Sequence, residues 1–466
     1  MNLVTAPALR RGLGLRSTTA VSAGLAFAAI DYLGAVTVAI FVAGTSAWLA
    51  ILVAGLLCLL AAFAFSELNS LYPTAAAIRL YMRNSMDDRV ALTITFTYMT
   101  TIILIIAADA FIVGRAVQYV LFPGQVFLSL PIIAALIGLA VAANLRGVRM
   151  AGNLQEAVTY GALAVTLVVS VLAMALRGFP LSNPITGLFG AGSNPVLAVV
   201  YGVFLFSAFE WVTTTAEEAR RPSLVPKGMF LSLALLYVGT AAFTMALTAY
   251  FPDHGALRAV PYPQLVMAQR ALGAGGLVAM FVATGLTAMN TFNGGFLTAS
   301  RFIYAAAREG NLPRALSRLN VNAVPWMPVV ALGAISLTVA ALVYLTGAWL
   351  LLVSVGAALE ATIYAVAAYC VIMLRRRRPE AVREVRMPLG YVTPVVTLVV
   401  FGGLALLAAF SDPNNPSGFS IVPVAILTGL TVASALYVTL GIPRLRARAV
   451  AAAPRRRPSR LPPSGS

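Results

Sequence analysis

Four carboxylates stand in stretches where a carboxylate is costly. Asp31 is the only charge in the apolar run from Thr18 to Ala43. Asp109 lies within IIAADAFIVG, Glu210 within FLFSAFEW and Glu360 within GAALEATIYA. At the centre of a lipid-embedded helix a charged Asp costs about 2.5–3.5 kcal/mol, so such groups face a protein interior and mark a route for ions, protons or polar solutes. Covalent catalysis would need a nucleophile–base pair, a metal cluster or a redox pair. The sole histidine, His254, falls in a polar connector, and Cys58 and Cys370 sit in separate apolar runs. No Gly-x4-Gly-Lys-Ser/Thr loop occurs, and the only lysine is Lys227, so no phosphate-cradling site is expected. These residues point away from an enzyme and imply neither metal nor cofactor. They fit the movement of a solute or a proton.

The elements that carry these acids follow from composition. Of 466 residues, 60% are hydrophobic and 10% are charged, against roughly 25% charged in a soluble domain. Twelve apolar spans are expected, all helical because lipid offers no partner to an open backbone. They cover approximately 18–43, 47–66, 90–120, 127–144, 155–176, 195–214, 228–250, 272–298, 327–346, 348–374, 391–410 and 420–441. The fold class is all-α and polytopic. Residues 1–17 form an amino-terminal segment, 18–443 the twelve-helix body, and 444–466 a basic tail expected to be disordered. The first apolar run is too long for the h-region of a cleaved signal.

Charge placement tests the count. If the amino terminus is cytoplasmic, only Arg177, Arg258 and Arg270 fall on outer loops and only Arg115 within a span; the remaining Lys and Arg of 32 lie inside. That asymmetry follows the positive-inside rule and puts both termini in the cytoplasm, with the body in the cytoplasmic (inner) membrane. It also accounts for the net charge of +17 without nucleic acid, whose readers gather their charge on one soluble face.

Three loops carry a resemblance. SELNSLYPTAAAIRLYMRN (66–84), AFEWVTTTAEEARRPSLVPKG (208–228) and ASRFIYAAAREGNLPRALSRLN (299–320) resemble, in order and on the correct side, loop motifs of amino acid permeases. The chain resembles the amino acid–polyamine–organocation (APC) superfamily over about residues 13–445. The resemblance implies a LeuT-like fold: spans 1–5 and 6–10 as inverted-topology repeats, spans 11 and 12 peripheral, and spans 1 and 6 broken near the midplane, where free backbone groups bind substrate.

That implication places substrate at Ala28, Ala29, Ile30, Asp31 and Tyr32 of span 1, Asp109 of span 3, Phe206, Ser207, Ala208 and Phe209 of span 6, and Glu360 of span 10. AAIDY stands where the family usually has a glycine-bearing GSGIF, so an anion replaces an amide nest and favours a positive group. Tyr32 and Phe206 would be walls of that pocket. Candidates for the coupled ion are Asp31, Asp109, Glu210 and Glu360 for a proton, and Thr298 and Ser300 with span 1 carbonyls for sodium. The family's occasional span 5 lysine is missing from NLQEAVTYGALAVTL.

The bland alternatives are that Asp31 is a protonated interior group, that Asp109 pairs with Arg115, that Glu210 and Glu360 make structural hydrogen bonds, and that Glu217 and Glu218 pair with loop arginines. The expected activity is secondary active, proton-coupled uptake of amino acids or organic amines by alternating access, with amine-bearing or cationic compounds preferred. A neutral amino acid permease or exchanger is the alternative, followed by a non-transporting sensor on the same scaffold.

Overall fold

The computed structural model describes residues 11–29, 34–178, 194–255, 257, 260–412 and 419–451. Its described residues are helices joined by short turns, with isolated two-residue bridges in place of strands. Span 2 is Ala47–Leu71, span 3 Asp88–Leu121, span 4 Ser129–Leu145 and span 5 Val148–Arg177. Span 6 is the helix Pro195–Phe204 with the 3-10 helix Phe209–Thr215, span 7 is Leu224–Tyr250, span 8 Pro263–Arg308, span 9 Trp326–Thr346 and span 10 Trp349–Arg377. Span 11 is Val392–Ala409, and span 12 starts at Val422, passes a π turn at Tyr437–Gly441 and ends with the helix Ile442–Ala451.

Among the described residues, 11 helices are long and apolar enough to cross a membrane. The count falls one short of the twelve expected because span 1 is two short helices, Leu15–Ala26 and Val36–Ala43, and the second runs into span 2 through a 3-10 turn at Gly44–Ser46. Span 8 extends well past its expected end at 298. Hydropathy measures the length of the lipid-facing part, whereas the helix continues through the buried, polar Arg301 region to Arg308. Span 12 likewise remains helical to Ala451, past 443, and residues 452–466 lie outside the described residues.

The packing follows the two-repeat plan. Span 1 packs on span 7, and span 6 on span 2; span 3 packs on span 9, and span 8 on span 4; span 5 packs on span 8, and span 10 on span 3. Adding five to one member of each pair and subtracting or adding five for the other gives its counterpart, as an inverted repeat requires. Span 11 leans on span 10 and span 12 on span 3, outside the ten-helix core.

Candidate transport site

Span 1 breaks where expected. Its first helix ends at Ala26, and Phe27 leaves helical geometry (φ −100°, ψ 76°) while still donating its N–H to Ala23 O at 2.8 Å. Ala28 and Ala29 are buried. Interrupting a helix in an apolar interior strands carbonyls before the break and amides after it, and both need partners that water cannot supply. One partner is visible: Ala29 N–H donates to Asp109 Oδ2 at 3.1 Å. The fully buried Asp109 of span 3 therefore braces the break. Ile30, Asp31 and Tyr32 lie outside the described residues.

Span 6 breaks in the same manner. Its first helix, Pro195–Phe204, is capped by Asn194, whose side chain accepts from Leu197 N–H. Turns follow, Ala208 takes a left-handed conformation (φ 70°), and the chain continues as a 3-10 helix over Phe209–Thr215. For a residue with a Cβ that conformation costs about 1–2 kcal/mol, so the surrounding packing must hold it. Ser22 of span 1 donates its hydroxyl to Phe209 O at 2.9 Å, tying the two broken helices together. Ser207 donates back to Val203 O at 3.3 Å. The two span 6 rings named from sequence, Phe206 and Phe209, are buried against other spans. Phe206 points its tip at Gly55 of span 2, where a Cβ would come within 3.2 Å. Phe209 meets Phe65 at 6.5 Å and Tyr364 at 5.6 Å between centroids.

Just past that break, two of the four acids meet. Tyr98 of span 3 hydrogen-bonds Glu210 and lies 3.1 Å from Glu360 Oε2. Tyr364 donates to Glu210 Oε2 at 2.9 Å. Glu210, Glu360 and Tyr364 are fully buried and Tyr98 nearly so. The cluster joins spans 3, 6 and 10. Asp109 and Ala29 form one polar centre and Glu210 with Glu360 another, so the structure sorts the described acids into two groups. Tyr98 and Tyr364 were not singled out in the sequence, where a tyrosine in an apolar run looks like any packing aromatic.

The hydroxyls considered for sodium turn to their own helix: Thr298 donates to Gly294 O at 2.9 Å and Ser300 to Leu297 O at 3.2 Å. Between spans 1, 5 and 8 lies instead an amide cluster that sequence reasoning missed. Gln155 bonds Asn290 and accepts from Asn293 Nδ2 at 2.8 Å, and Thr159 lies 2.6 Å from Asn290 Oδ1. Gln155 Nε2 and the Thr159 hydroxyl both reach the span 1 carbonyl of Ala20, at 3.3 and 3.0 Å. Gly24 admits this cluster, since a Cβ there would collide with Gln155 and Asn290. The available signal was two asparagines three residues apart on one face of an apolar helix.

The three loop motifs converge at the basic end of the bundle. Glu217 accepts from Ala75 N–H at 2.9 Å, linking the second motif to the first; the expectation of an arginine partner is met by Glu218 instead, which pairs with Arg301 of the third motif, both buried. Gly12 and Leu13 donate to Glu218 O at 2.8 and 3.0 Å. Nearby, Arg375 donates to both Glu67 carboxylate oxygens from Nε and Nη2 at 2.8 and 2.5 Å, and Arg383 approaches Glu67 at 3.1 Å. At the other end, Arg115 lies beside the Tyr262 phenol, whose burial pushes its pKa up to about 12 despite that neighbour.

Comparison with known proteins settles what this architecture is. A family model for amino acid permeases matches residues 13–436. The chain belongs to the amino acid permease family. The permease is 26% identical to the uncharacterized transporter YdgF of Bacillus subtilis, over 89% of the chain and 93% of that protein. It is 22% identical to the gamma-aminobutyric acid permease of the same organism, over 92% of the chain and 93% of that protein. Mouse Asc-type amino acid transporter 1 is 29% identical, but over 51% of the chain and 43% of that protein. The permease is therefore a multi-pass membrane protein of a transporter family.

Proposed function

We propose that this permease is a secondary active transporter that imports amino acids or organic amines across the cytoplasmic membrane, coupled to protons, with both termini in the cytoplasm. The observation that carries the reading is the pair of facing interruptions in spans 1 and 6, joined by Ser22 and Phe209 and braced by Asp109. Broken helices present free backbone groups to a small polar solute at the depth where lipid would otherwise forbid them. An acidic side chain at one break, with Asp31 next to it in sequence, supplies negative charge for an ammonium group. Amine-bearing and cationic compounds are then favoured over acidic ones.

The second reading is a neutral amino acid permease or exchanger. It is favoured by Asp109 already serving Ala29 N–H, and is in keeping with relatives named as large neutral amino acid transporters. There the acids would serve coupling rather than recognition. Competition of labelled alanine uptake into cells or proteoliposomes by arginine, putrescine, a small monoamine, alanine and glutamate separates these. The first reading expects arginine, putrescine or the monoamine to compete most strongly. Alanine ahead of all amines supports the second, and glutamate as the strongest competitor contradicts both.

A further inference from the structure

The Glu210–Glu360 centre contains a hydrogen-bond count that does not close if both carboxyls are ionised. A tyrosine hydroxyl has one hydrogen to give. Tyr98 lies closest to Glu210 and spends its hydrogen there, while Tyr364 gives Glu210 its second donor at 2.9 Å. Glu360 Oε2 still sits 3.1 Å from the Tyr98 oxygen, Glu360 Oε1 is buried with no hydrogen-bond partner, and the Glu210 carboxyl and the Ala208 backbone are the other polar groups beside Glu360. Two acceptor oxygens at that separation repel unless one holds a hydrogen. The titratable groups facing Glu360 are Glu210, Tyr98, Tyr364 and Cys58; among the described residues no Arg, Lys or His pairs with either acid. Two anions sharing one buried site without a cation are strongly disfavoured.

We infer that the Glu210–Glu360 pair holds one proton, carried on Glu360 Oε2 and donated to the Tyr98 oxygen, and that this proton is the one exchanged during transport. Glu210, with two hydroxyl donors, is the ionised partner. The asymmetry supplies a release mechanism. Glu210 stands on the 3-10 segment after the span 6 break, whereas Tyr98 and Glu360 stand on the continuous spans 3 and 10. When the broken segment swings away from Tyr98, the like charge departs and the Tyr98 hydrogen becomes available to Glu360. The Glu360 O–H bond then breaks, its proton passes to water in the opened route, and the carboxylate left behind accepts from Tyr98. Return of Glu210 reverses each step. The proton's location stands on the hydrogen-bond geometry alone, whereas its use in transport rests on the function proposed above.

Difference infrared spectroscopy of the purified permease in lipid, stepped through pH without substrate, reads the proton directly. The wild type should show the carbonyl stretch of a protonated buried carboxyl. Glu360→Gln should lose that band while keeping a donor toward Tyr98, and should flatten the pH dependence of labelled alanine uptake. Tyr98→Phe removes the acceptor and should shift the band to higher frequency, which keeps the test open if Glu360→Gln does not accumulate as folded protein. A band unchanged in both variants overturns the assignment of the proton. Loss of the band with an unaltered pH profile overturns its use in coupling. Because the spectrum needs no substrate, failure of the transport reading cannot be mistaken for failure of this one.

Discussion

At the residue scale, Asp109 explains how a break without the usual glycines is sustained. Span 3 lends a carboxylate to the amide of Ala29, and that partner could not be read from the chain, because Ala29 and Asp109 are far apart in sequence. What could be read was that each acid had to be buried and engaged, since lipid tolerates neither an exposed charge nor a loose one. Asp109, Glu210 and Glu360 are all fully buried. For Asp31 the proposal remains contact with the ammonium of the substrate. Asp31→Asn keeps the shape and removes the charge. Losing a charge-assisted hydrogen bond costs about 1.5–3 kcal/mol, so binding of the strongest amine competitor should weaken roughly 10- to 150-fold, with folded yield preserved. Equilibrium binding to purified protein checks this; unchanged affinity would remove Asp31 from the recognition site.

At the element scale, the spans were legible because hydropathy and helix formation are forced together in lipid. Their breaks were legible only through resemblance. Nothing in FLFSAF announces a left-handed residue, since no glycine or proline marks the turn, and Ala208 (φ 70°) is held there by packing. The same blindness applies to the amide cluster of spans 1, 5 and 8, where Gly24 gave no sign that two side chains would press on it. The strain at Ala208 gives a prediction. Ala208→Gly removes a steric cost of about 1–2 kcal/mol and gives back about 0.4–1 kcal/mol in unfolded-state entropy, so it should be level with the parent or more stable, whereas Ala208→Val places a β-branched residue in that region and should destabilise by about 1–3 kcal/mol. Thermal unfolding in detergent should order the three proteins Gly, Ala, Val from most to least stable, or place Gly level with Ala. A valine variant as stable as the parent would mean that the left-handed turn is not maintained.

At the scale of the whole molecule, polar organisation divides into two tasks. The basic end is fastened by buried pairs, Glu218 with Arg301 and Glu67 with Arg375, which connect the three motif loops, the amino-terminal bridge at Leu13 and the end of span 10. The middle holds Glu210 and Glu360, which form no ion pair among the described residues and stand just past the interruption of span 6. A charge pair costs its desolvation and returns rigidity, which suits an end that holds the bundle together. An unpaired carboxyl couple suits a place where charge must change. The order and side of the three motifs made the first task visible in sequence; the second became visible only when span 3 brought Tyr98 between two acids from spans 6 and 10 of the other repeat. The central claim is that these acids drive accumulation. Purified permease in proteoliposomes, with sodium replaced by choline and an alkaline interior imposed, should concentrate labelled alanine, or the amine that competes best with it, above the external level, and should stop doing so when a protonophore collapses the gradient. Accumulation that ignores the protonophore and requires sodium would contradict the account.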